Sequence, residues 1–170
     1  MLAETPARRQ NPLTTTVGIL AVLYALTFLL GALLHLGIRI PIGFTVLAEP
    51  RIFPATIVEG LCGLFLATGA YAVLTRKSWA WQAITAAHAF ALGGVLLGTA
   101  ALAVGAGPST DLNTIYHRVM LVALVAGLVY LLTPTGKAAL GRDDRRRSFS
   151  FTQDIGGDHD PRDRQGRTDV

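Results

Sequence analysis

One feature limits what this chain can fold into more than any other. Residues 54–75, PATIVEGLCGLFLATGAYAVLT, form an apolar run interrupted by a single carboxylate, Glu59. The run is long enough to cross a bilayer as a helix. A charged group inside hydrocarbon costs at least ~2.5 kcal/mol, so Glu59 should face protein, water or a partner charge rather than lipid. Three further stretches, residues 14–38, 79–104 and 113–132, have spanning length, and each carries or borders a histidine.

The charge distribution supports the same reading. Hydrophobic residues make up 51% of the 170-residue chain and charged residues only 15%, whereas a soluble domain carries about a quarter charged residues. Between Pro12 and Gly136 the charges are Arg39, Glu49, Arg51, Glu59, Arg76, Lys77, Asp111 and Arg118, and all but Glu59 fall near the ends of apolar runs. The expected fold is all-α, an integral membrane four-helix bundle. Residues 1–13 form an N-terminal segment, 14–136 the bundle, and 137–170 a basic, then mixed-charge, disordered tail. The first run is too long for the apolar core of a signal peptide and is read as a retained helix.

Orientation follows from the basic residues. Arg8 and Arg9, the turn at Arg76 and Lys77, and the tail with Lys137, Arg142, Arg145, Arg146 and Arg147 share one side if there are four spans. The positive-inside rule makes that side cytoplasmic, placing the protein in the inner membrane with both termini inside. The net charge of +4 is therefore a topology signal, and no nucleic acid is expected as a partner. The expected partners are the bilayer and a membrane protein or second copy. Arg145, Arg146 and Arg147 would sit at the membrane surface beside anionic lipid, an attraction that phosphorylation of Ser148 would weaken.

Residues 39–53 contain Pro41, Gly43 and Pro50, which forbid a continuous helix, yet Ile40, Ile42, Phe44, Val46 and Leu47 are apolar. The segment is expected to pack over the outer mouth of the bundle and shield Glu59. Glu49 and Arg51 are close enough to pair. Gly94 and Gly98 form a GxxxG, a motif of close helix packing. Trp79 and Trp81 suit the membrane interface, and Ser109 or Asp111 is expected to cap the fourth helix.

Depth assigns the polar residues. His35 ends the first helix, Glu59 lies about five residues into the second, and His117 about as far into the fourth, with Asn113 one turn earlier on the same face. Three helices thus bring a ligand-type residue to one level, with His88 deeper in the third. Three readings stay open. Glu59 could pair with His117 or Arg118 and simply fasten helices together. The group could hold a small ligand, such as a quinone-like head group, or relay protons. Glu59, His35 and His117 could ligate a divalent metal, although no HExxH, ExxH or CxxC spacing is present. A b-type haem is not expected, because His88 has no second histidine at its depth. Cys62 alone makes neither a disulfide nor a cysteine-rich metal site. No nucleophile lies beside a base in the sequence, so a catalytic constellation is not expected and no cofactor is specified.

The stretch IVEGLCGLFLATGAY, residues 57–71, is an apolar helix with one acidic residue and Gly-spaced turns, followed by a basic turn and a histidine-bearing third helix. Over about half of the chain, this pattern resembles the DoxX-like group of small bacterial four-helix membrane proteins. The resemblance implies a four-helix bundle that is sometimes a companion or subunit of membrane redox systems. It transfers no catalytic residue. The function expected is a non-catalytic membrane protein, an accessory subunit of a redox or envelope system. The alternatives are a small transporter or proton-coupled permease, and a metal-dependent membrane enzyme.

Overall fold

The structure, a computed structural model, describes residues 12–108 and 110–141. Arg8, Arg9, Ser109 and the tail from Arg142 onward, including Arg145, Arg146, Arg147 and Ser148, lie outside the described residues. Four long helices form the bundle: α1 (Pro12–Leu36), α2 (Phe53–Leu74), α3 (Ala80–Ala103) and α4 (Asp111–Leu132). All four are long and apolar enough to cross a membrane. At ~1.5 Å per residue each exceeds the ~30 Å hydrocarbon core.

Packing runs in chain order. α1 lies on α2, α2 on α3, and α3 on α4, while α1 and α4 touch little. The interior is built from small residues: Ala21, Ala25, Cys62, Ala70, Ala72, Ala80, Ala87 and Ala91 are buried, with Phe28, Leu66, Ile84 and Leu124 filling the remaining space. Large apolar side chains such as Leu23, Leu26, Leu64, Leu97 and Val122 are exposed instead. A soluble core has the opposite arrangement. Here lipid solvates the large side chains, and small ones let the helix backbones approach.

The helix ends are closed by local chemistry. Gly37 (φ +100) ends α1, with its N–H bonded to Leu34 and that of Ile38 to Leu33. This is the paired closure that a left-handed residue permits. Arg76 (φ +55) closes α2 the same way, as Lys77 N–H returns to Ala72. Pro54 sits in the first turn of α2, where no backbone donor is required. The N-cap of α4 is Thr110, whose hydroxyl accepts from Asn113 N–H at 3.1 Å; the expected Asp111 lies just inside the helix.

Two expectations are corrected. The charged tail was drawn from residue 137, but Pro134–Leu140 forms a further helix, α5. Thr133 caps it, its hydroxyl accepting from Gly136 N–H, and Thr14 of α1 donates to Ala139 O at 3.0 Å. Leu140 is buried against the α1–α3 end of the bundle, so Pro134 ends α4 and starts a helix. The second correction concerns residues 39–53. Ile40–Ile42 (β1) and Thr45–Leu47 (β2) pair as an antiparallel hairpin turning at Gly43 (φ +57). The two strands pair only their facing backbone groups, and the hairpin stands clear of the bundle. Ile42, Phe44 and Val46 are exposed and do not form a lid. Only residues 48–52 return over the helix ends.

Candidate functional site

Antiparallel packing puts the last turn of α1 level with the first turns of α2. His35 and Glu59 are brought together there, and both are buried. His35 Nε2 stands 3.8 Å from Glu59 Oε1, too far for a hydrogen bond. The other carboxylate oxygen, Oε2, is buried and accepts no hydrogen bond from the described residues. Room for it comes from Gly31 on α1, where an added Cβ would stand 2.5 Å from Oε2.

His35 is held from its far side. Its Nδ1 donates to Pro50 O at 3.0 Å, and its own carbonyl accepts from Ile52 N–H. The segment after the hairpin is thus tied to the end of α1. Glu49 extends the tie to α4, since the Thr110 hydroxyl lies 2.8 and 2.9 Å from its two carboxylate oxygens. Thr110 accepts from α4 and donates to Glu49. The expected Glu49–Arg51 pair is replaced by this contact; Arg51 is exposed and its side chain lies over Gly37.

His117 and Asn113 enter from α4. His117 Nδ1 donates to Asn113 O at 2.8 Å, and its Nε2 faces Gly98, where a Cβ would stand 2.5 Å away. The expected GxxxG therefore acts differently from a backbone packing motif. Gly98 makes space for His117 of α4, and Gly94 for Cys62 and Val58 of α2. Arg118 is exposed. Successive helical residues point ~100° apart, so an inward His117 turns Arg118 outward. Of the two partners expected for Glu59, His117 shares its cavity and Arg118 does not, while the imidazole 3.8 Å from its carboxylate is that of His35.

These groups line one cavity of about 270 Å³, together with Ile52, Pro54, Val58, Leu97, Leu102 and the loop at Ala106 and Gly107. Its polar side chains are His35, Glu59, Asn113 and His117; its walls are otherwise apolar. The volume holds several waters or a small ring. Among the described residues, no three His, Cys, Asp or Glu side chains converge closely enough to hold a metal ion. Glu59, His35 and His117 share the cavity without forming a ligand set.

His88 belongs elsewhere. It is buried toward the other end of the bundle, donates from Nδ1 to Ile84 O at 2.9 Å, and meets Tyr24 edge-on at 6.0 Å. Gly127 makes room for its ring. It lines a second cavity of about 380 Å³ between α1 and α4, with Tyr24 and Tyr130. Phe28, Leu66 and Leu124, all fully buried, lie between the two cavities along the bundle. Sequence reasoning did not find Gly31, Gly127 or Thr110, and it marked Gly98 only as a packing glycine. Their positions opposite a polar side chain depend on how the helices face each other, which no local pattern encodes. No protein-family model, curated protein or solved structure matches this chain.

Proposed function

We propose that this is a non-catalytic membrane protein that holds a small, largely apolar ligand in the Glu59 cavity. The observation carrying this reading is Glu59 Oε2, a buried acceptor with no donor among the described residues, which borders an apolar cavity with two imidazoles. A buried polar atom without a partner is costly, and a purely structural network would satisfy it. The companion role in a redox or envelope system rests on the DoxX-like resemblance of residues 57–71. The bacterial inner-membrane location rests on the same resemblance, and the orientation with the Glu59 end outside rests on the basic residues. Reporter fusions after Gly107 and Gly141 should report opposite sides.

The direct test is native mass spectrometry of protein taken from its own membrane. Wild type should retain a small molecule that Ala101→Trp, which fills the cavity wall, loses. Retention of the same molecule by Ala101→Trp, or none by wild type, refutes the reading. A second reading, a small permease, is favoured by the two cavities at opposite ends of the bundle. It requires the Phe28 layer to open, so Phe28→Ala should make proteoliposomes leaky.

A further inference from the structure

We infer that the ligand of the Glu59 cavity is a small organic ammonium ion, an inference that rests on the binding reading above and adds its chemical class. The argument is a donor and acceptor census. A carbonyl oxygen can only accept, so a ring nitrogen within hydrogen-bond distance of one must carry the proton. His35 Nδ1 lies 3.0 Å from Pro50 O, and His117 Nδ1 lies 2.8 Å from Asn113 O. With the Nδ1 proton so placed, the neutral form of each ring leaves Nε2 with a lone pair that accepts. Both residues line the cavity, and the third polar group is the Glu59 carboxylate, which accepts at two oxygens. Among the described residues of the lining, only Asn113 adds a further side-chain N–H donor.

The cavity therefore offers acceptors from three helices, α1, α2 and α4, and almost no side-chain donors. Water satisfies such a set poorly, because each water brings lone pairs as well as protons. A primary ammonium group brings three N–H donors, no lone pair, and the charge opposite to Glu59. A bare metal ion is a poorer fit, since the side chains do not converge as ligands. Ile52, Val58, Leu97 and Leu102 would enclose the hydrocarbon part of the cation. About 270 Å³ of space matches a body of one small ring or short chain.

The test uses two probes of nearly equal shape, benzylamine and benzyl alcohol. Binding is measured by equilibrium dialysis against the full chain in phosphatidylcholine nanodiscs, with empty nanodiscs subtracted. A charge-assisted hydrogen bond is worth about tenfold or more over a neutral one. Benzylamine should bind wild type at least about tenfold tighter than benzyl alcohol. That margin should collapse in Glu59→Gln, with thermal unfolding checking that the variant is folded. The wild-type comparison stands without any variant. Equal binding of the two probes overturns the ammonium class and leaves the cavity reading intact. A margin that survives Glu59→Gln overturns the role of the carboxylate. If neither probe binds, the ammonium inference fails; the cavity reading fails with it only if wild type carries no molecule from its own membrane or Ala101→Trp retains the same one.

Discussion

Alanine at Gly98 should disrupt the cavity through His117 alone, and a second glycine five residues away on the same helix, Gly93, provides the control. A Cβ at Gly98 would stand 2.5 Å from His117 Nε2 and 3.1 Å from Cδ2, whereas a Cβ at Gly93 meets nothing within 4 Å. His117 cannot simply swing aside, because it is buried and its Nδ1 is bonded to Asn113 O. Both substitutions gain about 1 kcal/mol of helix propensity. That gain cancels when the two are compared, which leaves the overpacking cost, ~1–3 kcal/mol. Gly93→Ala should thus be neutral or slightly stabilising. Gly98→Ala should be ~1–3 kcal/mol less stable than it. The assay is reversible unfolding in mixed micelles, with Gly98→Ala repeated in a His117→Ala background. There the methyl group occupies the vacated imidazole volume and the penalty should vanish. Equal stability of the two alanine variants, or a penalty that persists without His117, would refute the packing argument.

Other consequences are as specific. Thr110→Val removes both the N-cap acceptor of α4 and the donor to Glu49; it should cost about 1–2 kcal/mol in the same unfolding assay. Arg76→Gly relieves a left-handed residue at the end of α2 and should gain up to ~1–2 kcal/mol, readable as a raised unfolding midpoint. Amide hydrogen exchange should separate the two halves of the first connection, with the hairpin tip at Gly43 and Phe44 exchanging fast and Ile52, bonded to His35 O, protected. Thr133→Ala should cost ~1 kcal/mol and speed exchange at Gly136, whose N–H the Thr133 hydroxyl accepts.

The amino-acid sequence by itself determined the four long helices, for a physical reason. Apolar runs of bilayer length with charges only at their ends have few other stable solutions, and prolines and glycines mark where each must stop. It also determined that Glu59 would be sheltered, because an ionisable group at that depth is costly unless protein, water or a partner charge meets it. The helix α5 was hidden because seven residues carry too weak a period to outweigh a following charged tract. The hairpin was hidden because its two strands are three residues long and its apolar side chains read equally well as a lid. Which partner meets Glu59 was a tertiary decision. His35, His117 and Arg118 all lie at a similar depth, and only the rotation of each helix about its axis selects among them. That rotation turns Arg118 outward, brings His35 to 3.8 Å, and sets Gly31 and Gly98 opposite the side chains that need their space. Helix rotation is decided by which small faces pack together, and that depends on all four helices at once.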